Sequence, residues 1–227
     1  MDFYEIFNKM NQSLNGLTHL DELIQRTPRK IDPFKILIST ILSVRTKDKN
    51  TSTATENLFA KYYTPKMIAG AELEDIEELI YVSGTYKTKA LRIKQVSKII
   101  IEKYSGNVPK DFNELIKLPG VGNKVANCVL IYAYNIPAIP VDIHLHRVSN
   151  RTGWVDTKTP EQTEKELRKI FPKNLWIDSN RVLVKFGQQI CRPTYPKCNL
   201  CPIIDICKKD FSKSFTKIKK KEIKLNK

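Results

Sequence analysis

The chain has 227 residues, 41% of them hydrophobic, which is enough to bury a core in one large domain or two small ones. Its net charge of +15 and pI near 9.5 indicate a polyanionic partner, with nucleic acid favoured over a membrane surface. No apolar run approaches the ~20 residues of a membrane helix and no secretory signal is visible, so we expect a cytoplasmic protein with no membrane partner.

The first predicted helices follow from apolar spacing and from N-cap residues. A short amphipathic N-terminal helix is indicated by one apolar stripe, formed by Phe3, Ile6, Phe7 and Met10. Asp32-Pro33 is typical of an N-cap followed by the first helical residue. The segment 34–42 is apolar nearly all round, so we predict a buried central helix there.

Further helices are predicted between residues 64 and 104. Thr64-Pro65 opens one helix by the same cap chemistry, and apolar spacing over residues 73–80 marks another. Residues 84–90 form a basic loop that leads into a long helix with an apolar stripe from Ile93 to Ile100. Helical periodicity dominates the whole chain, and no convincing run of alternating strands is visible.

The sequence Leu118-Pro119-Gly120-Val121-Gly122-Asn123-Lys124 predicts a hairpin between two helices. The helix over residues 112–118 cannot continue through the proline, and two glycines then allow a tight reversal. A second apolar helix leaves at about residue 123 and runs to about residue 134. Such a loop directs backbone N–H groups outward at a helix start, where phosphate binds.

Two residues near the hairpin are candidates for chemistry. Lys124 lies in the first turn of the second helix, where the positive end of the helix favours a neutral, nucleophilic amine. Asp142 follows Pro140 and precedes another helical segment. The alternatives are a plain turn, a solvated surface lysine and an ordinary aspartate N-cap, and residue types alone do not decide between them.

The C-terminal third contains three predicted helices and a basic tail. The first spans residues 143–150, the second opens with the capping box Thr159-Pro160-Glu161-Gln162, and the third covers about residues 179–190. Residues 212–227 are rich in lysine and are predicted to be disordered and to attract DNA.

Four of the five cysteines form a compact cluster with the spacing C-x6-C-x2-C-x5-C, namely Cys191, Cys198, Cys201 and Cys207. Four thiolates in one short loop can bind a [4Fe–4S] cluster or a tetrahedral zinc ion, and a disulfide framework fits the spacing poorly. Only the middle two cysteines form a close pair, whereas structural zinc sites usually have two. Three prolines leave the loop little secondary structure, so a metal would replace a core there.

The hairpin sequence, read with Val-Asp-Ile-His-Leu-His-Arg-Val-Ser-Asn-Arg from Val141 and with the cysteine spacing, closely resembles the endonuclease III family of helix-hairpin-helix DNA glycosylases. The resemblance covers roughly residues 31–207. It implies an all-α fold of two helical domains that flank a DNA-binding cleft. A six-helix barrel would span residues 26–136, with the helix-hairpin-helix at about 112–134. Residues 1–25 and 137–211 would form the other domain, which ends in the iron–sulfur loop 191–207.

The resemblance also implies an activity, a cofactor and a substrate. The chain would remove oxidised or damaged pyrimidines from double-stranded DNA and then cleave the strand by β-elimination. Lys124 would form the Schiff base, Asp142 would assist it, and a [4Fe–4S] cluster would be bound by the four cysteines. Phosphate contacts are expected from the hairpin and from the cysteine loop, at Gly120, Val121, Gly122, Arg192 and Lys208.

Two loops are expected to enter the DNA on the same resemblance. Bacterial endonuclease III carries a gap-filling glutamine where this chain has Arg45, and a leucine wedge where it has Thr85; Lys87 follows in the second loop. Arginine can fill space and bind base edges, whereas threonine is a poorer wedge. The alternatives are action on mismatched thymine, uracil or pyrimidine dimers, and a non-catalytic DNA-binding module. We expect a monomer, associated with the nucleoid if the cell is prokaryotic.

Overall fold

The computed structural model describes residues 2–15 and 32–211, and these contain helices, turns and loops but no strand. The all-α prediction is therefore confirmed. The predicted tail, residues 212–227, and the predicted domain boundary near residue 26 lie outside the described residues. The α-helices, numbered in chain order, are α1 (Phe3–Gln12), α2 (Pro33–Ser43), α3 (Asp48–Lys61), α4 (Pro65–Gly70), α5 (Leu73–Leu79), α6 (Tyr86–Tyr104), α7 (Phe112–Leu115), α8 (Asn123–Tyr134), α9 (Ile143–Thr152), α10 (Pro160–Ile170) and α11 (Trp176–Gln189).

The described residues divide into two compact units. The hairpin unit contains Asn15 and residues 32–140, and the cysteine unit combines residues 2–14 with residues 141–211. The chain passes from one to the other between Pro140 and Val141, whereas the sequence placed this boundary between residues 136 and 137. None of the described helices is both long and apolar enough to cross a membrane.

Helix α2 is the centre of the hairpin unit. Asp32 accepts a hydrogen bond from the Phe34 amide, and Pro33 opens the helix, as the sequence predicted. Helix α2 packs against α3 and α8. Its apolar side chains are at most 4% exposed, namely Phe34, Ile36, Leu37, Ile38, Ile41 and Leu42.

The cysteine unit is built around α9 and α11, with α1 packed on α11. The predicted apolar stripe of α1 is buried, and its Phe3 and Phe7 rings meet the Phe171 ring edge-on. The predicted capping box is present, because the Thr159 hydroxyl accepts from the Gln162 amide while the Gln162 side chain accepts from the Thr159 amide.

Three predicted helix boundaries were wrong. Helix α7 ends at Leu115 and not at residue 118, because a residue before proline is disfavoured in the helical region. The predicted loop 84–90 is a loop only as far as Thr85, and helix α6 begins at Tyr86. Helix α11 begins at Trp176, directly after a 3-10 turn over Lys173–Leu175, and not at residue 179.

Candidate functional site

The hairpin before α8 is a turn that requires one glycine. The Leu118 amide donates to the Leu115 carbonyl (3.1 Å), and the Val121 amide donates to the Leu118 carbonyl (3.1 Å). Gly120 has φ +80°, and a Cβ there would lie 2.7 Å from Cδ of Arg92. The left-handed backbone requires glycine at position 120, whereas the Arg92 side chain could move to make room for a Cβ.

Gly122 has a different role from Gly120. Its φ of −100° and ψ of −177° are extended and open to any residue, and a Cβ there would meet no atom within 4 Å. Of the two glycines that the sequence placed in the reversal, only Gly120 has a backbone that requires glycine. Gly122 is the N-cap of α8, and no side chain forms a cap hydrogen bond at this helix start. The Val121 amide is already bonded within the turn and its side chain is buried.

Lys124 is the second residue of α8 and its side chain is only partly buried. Val121, three residues before it, and Val125, directly after it, are both buried in the core. Lys124 is thus partly exposed beside a buried apolar cluster, in the first turn at the positive end of α8. This placement is compatible with a nucleophile.

Asp142 lies in the cysteine unit, at the start of α9. Its Oδ1 accepts hydrogen bonds from the amides of His144 and Leu145, both at 2.9 Å, so the predicted N-cap is present. The carboxylate is partly exposed. Because both cap bonds go to Oδ1, the second oxygen is left to act on another partner.

The two loops expected to contact DNA both belong to the hairpin unit, and both contain a left-handed residue. Arg45 follows α2 with φ 54°, and Thr85 precedes α6 with φ 57°. Both side chains are exposed, as is that of Lys87 in the first turn of α6. The loops touch each other, since a Cβ on Gly84 would lie 2.9 Å from the Arg45 carbonyl oxygen. Side chains at their tips are therefore presented from one connected surface.

The four clustered cysteines line one cavity, together with Arg151, Phe186 and other residues of the cysteine unit. Among the described residues, no three His, Cys, Asp or Glu side chains are grouped closely enough for a single metal ion. A tetrahedral zinc ion would need sulfurs within roughly 4 Å of one another, given Zn–S bonds of about 2.3 Å. A [4Fe–4S] cluster spreads its thiolates further apart, because each binds a different iron, and four thiols that line one cavity are a donor set of the kind it needs.

Two buried arginines of α9 hold the beginning of the cysteine loop. Arg147 is 1% exposed and donates to the carbonyl oxygens of Cys191 (3.0 Å) and Gly187 (2.7 Å). Arg151 donates to the carbonyl oxygens of Arg192 (2.6 Å) and Pro193 (2.8 Å). The sequence analysis missed both, although two arginines one helical turn apart were a visible signal. Most of their hydrogen bonds fix the loop backbone, and Arg151 also donates to the Cys191 sulfur at 3.8 Å.

Burial also shapes the chemistry of the cysteines. It raises the pKa of the Cys201 thiol to about 11 and raises the pKa of Cys207 as well. A thiolate in this cavity therefore needs a nearby positive centre. The fifth cysteine, Cys128, is fully buried in α8 and belongs to the core, as predicted.

The predicted phosphate contacts of the cysteine loop are exposed and have fixed backbones. Arg192 is held through its carbonyl oxygen by Arg151, and the Lys208 amide donates to the Thr152 carbonyl oxygen at 3.2 Å. The aliphatic part of Lys208 covers Gly153, where a Cβ would lie 2.2 Å from the lysine Cδ. The charged ends of Arg192 and Lys208 are thus placed at the surface by α9.

The sequence of this chain is similar to those of known DNA repair proteins. The HhH-GPD superfamily of base excision DNA repair proteins matches residues 38–173. Endonuclease III of Thermotoga maritima is 49% identical over 189 residues, which cover 82% of this chain and 89% of the relative. Endonuclease III of Bacillus subtilis is 39% identical over 180 residues, which cover 78% and 81%.

Solved structures show the same similarity in three dimensions. A trapped covalent intermediate of endonuclease III with DNA matches with a TM-score of 0.76 and 38% identity, over 84% of this chain and 92% of that one. A thermostable thymine-DNA glycosylase matches with a TM-score of 0.75 and 26% identity, over 89% and 91%. Coverage above four fifths of the chain means that both units take part in each match.

Proposed function

Because this chain belongs to the HhH-GPD superfamily of base excision DNA repair proteins, we infer that it is a DNA glycosylase and abasic-site lyase of the endonuclease III type. The observation that carries this inference is the similarity to endonuclease III trapped covalently on DNA. A covalent intermediate requires a protein nucleophile, and Lys124 is a partly exposed lysine in the first turn of α8. The substrate we propose is an oxidised or otherwise damaged pyrimidine in double-stranded DNA.

The first step is extrusion of the damaged nucleotide, since its C1′ is shielded in the base stack. The outward amides at the start of α8 would bind the phosphate next to the lesion, with Gly120 and Val121 shaping the turn and Gly122 leaving room for it. These contacts fix position and read no sequence. Arg45 would fill the gap left by the nucleotide, with Thr85 and Lys87 beside it.

The second step is covalent. The Lys124 amine loses a proton, its Nζ forms a bond to C1′, and the glycosidic bond breaks as the base leaves with a proton. The sugar ring opens to a Schiff base. Loss of a proton from C2′ then expels the 3′ phosphate and cleaves the strand. Asp142 would stabilise the positive charge that develops on the sugar and help to deprotonate the lysine.

Asparagine at position 142 separates the two roles of this carboxylate. Asp142→Asn keeps an oxygen for the His144 and Leu145 amides, so the free energy of unfolding should change by less than about 1 kcal/mol. Loss of the charge should slow base release by roughly 10²- to 10⁴-fold, the range typical of acid–base groups. Single-turnover base release and urea unfolding measure the two effects. An unchanged base-release rate would show that Asp142 serves only as the N-cap of α9 and has no role in catalysis.

Alanine at position 122 tests the proposed phosphate site. The backbone of Gly122 suits any residue and has open space, but alanine is a poorer N-cap than glycine, so Gly122→Ala should change the unfolding free energy by less than about 1 kcal/mol. The added methyl group would occupy the approach of the phosphate and weaken DNA binding. Gly120→Ala is the matched contrast, because its left-handed backbone predicts a less stable protein. Urea unfolding and duplex-binding titrations of both variants measure these effects. Full DNA affinity in Gly122→Ala would show that the phosphate does not bind at this position.

We propose that the four cysteines hold a [4Fe–4S] cluster with a structural role. When bound, the cluster supplies four positively charged irons that stabilise the buried thiolates and close the loop. The residues of the chain then do the remaining work: Arg147 and Arg151 fix the loop backbone, and Arg192 and Lys208 contact phosphates. No redox step is assigned to base removal.

A panel of lesion duplexes tests the proposed function and its alternative. We expect fastest base release from an oxidised pyrimidine, followed by strand cleavage. The similarity to a thymine-DNA glycosylase makes mismatched thymine the second candidate, and fastest release of thymine opposite guanine would favour it. No base release from oxidised, mismatched or uracil-containing duplexes would contradict a glycosylase. We further propose that the enzyme acts as a monomer, since one hairpin and one amine suffice for one nucleotide.

A further inference from the structure

Lys89 is a buried lysine bonded only to neutral oxygens. Its side chain is 2% exposed, and none of the ion pairs among the described residues includes it. Its Nζ donates to the Leu42 carbonyl (2.7 Å), the Thr46 hydroxyl (2.7 Å) and the Ser83 hydroxyl (2.8 Å). A charged group is almost never buried in this way unless it has a specific structural or functional task.

The position of the ammonium at a helix end explains why it can be buried. Leu42 is in the last turn of α2, where carbonyl oxygens lack an intrahelical donor and the helix dipole favours a cation. Lys89 therefore caps the C-terminus of α2 from another helix, α6. Burial lowers the pKa of Lys89 to about 8, so the ammonium still predominates at neutral pH.

The other two acceptors, Thr46 and Ser83, lie in the two loops that carry Arg45 and Thr85. Thr46 follows Arg45, and its hydroxyl also accepts from the Gly84 amide at 3.2 Å. Ser83 lies just before Gly84, and its hydroxyl donates to the same Leu42 carbonyl oxygen at 3.3 Å. One ammonium thus joins the end of α2, the first loop and the second loop.

Both exposed tips adopt a backbone that side chains other than glycine rarely adopt. Arg45 has φ 54° and Thr85 has φ 57°, and each is next to a residue of the Lys89 network. Such conformations persist only where the surroundings determine them strongly. The Lys89 hydrogen bonds supply that constraint, and they act on both tips together.

We propose that Lys89 is a positioning residue that sets the spacing of the Arg45 and Thr85 tips, so that both enter the duplex in register when a nucleotide is extruded. This inference rests on the proposed function. Lys89 itself touches neither substrate nor Lys124, and its effect on catalysis passes through the two loops. Its loss should therefore harm extrusion and leave the covalent chemistry of Lys124 intact.

The test compares a substrate that needs extrusion with one that does not. For Lys89→Met we expect base release from a damaged duplex to fall by roughly 10²-fold, the scale of a misplacement of about 1 Å. Cleavage of an abasic site in single-stranded DNA should stay close to that of the unsubstituted protein. A fluorescent base analogue beside the lesion should lose its extrusion signal. Lys98→Met removes an exposed charge from the same helix and should leave the activity on both substrates unchanged.

A second pair of variants covers the case in which Lys89→Met fails to fold. Thr46→Val keeps the shape of the side chain and loses the acceptor, whereas Thr46→Ser keeps the hydroxyl. We expect the valine variant to lose duplex activity selectively and the serine variant to retain it. Equal losses on duplex and single-stranded DNA, or full duplex activity in Thr46→Val, would overturn the proposal. An unsubstituted protein inactive on both substrates would instead reject the proposed function.

Discussion

Replacing Lys124 by glutamine is expected to abolish base release and strand cleavage together. Glutamine keeps a polar side chain that is one atom shorter than that of lysine, but it has no basic nitrogen, so no bond to C1′ can form. Loss of a nucleophile should reduce single-turnover base release from an oxidised-pyrimidine duplex by roughly 10⁴-fold or more. Affinity for undamaged duplex should change little, because the amides at the start of α8 remain.

Lys98→Gln is the matched control for Lys124→Gln. It makes the same chemical change at an exposed position of α6 that has no assigned role, and its base-release rate should equal that of the unsubstituted protein. Base release that persists in Lys124→Gln while strand cleavage is lost would show a water nucleophile for the first step. Persistence of both activities would place the nucleophile on another residue.

Replacing Cys201 by serine is expected to remove the cluster and destabilise the cysteine unit. The cysteine loop has only two short 3-10 turns, Cys198–Leu200 and Ile204–Ile206, so much of its order would come from the bound cluster. We expect loss of iron and of the visible iron–sulfur absorbance, a lower melting temperature and weaker DNA binding through Arg192 and Lys208. Elemental analysis, absorbance and thermal unfolding measure these effects.

Cys128→Ala separates loss of the cluster from loss of any thiol. Cys128 is fully buried in α8 within the hairpin unit, so its replacement should leave about four irons per chain. Zinc in place of iron in the unsubstituted protein would contradict the cluster assignment. Full iron content in Cys201→Ser would show that Cys201 is not a ligand of the cluster.

Local chemistry explains which parts of the fold were predictable from sequence. The caps at Asp32, Asp142 and Thr159 each act within three residues of the chain, and all three predictions were confirmed. The apolar stripe of α1 was also predicted correctly, because one face of a helix is recorded in residue spacing. The hairpin position followed from Pro119 and Gly120 for the same reason.

Contacts between distant segments explain what the sequence did not reveal. Lys89 donates hydrogen bonds to residues more than 40 positions earlier in the chain. Arg147 and Arg151 donate to residues more than 40 positions later. No local pattern distinguishes such side chains from solvated surface charges. Gly120 and Gly122 could not be distinguished from the sequence, because it does not record which glycine has a left-handed backbone and which has an extended one.

Borohydride trapping on an abasic-site duplex, followed by mass spectrometry of the cross-linked peptide, tests the Schiff base most directly. Reduction converts the imine into a stable amine that marks the attacking nitrogen. We predict a cross-link in high yield whose only modified residue is Lys124. A cross-link on another residue, or strand cleavage with no cross-link, would contradict the assignment of Lys124 as the nucleophile.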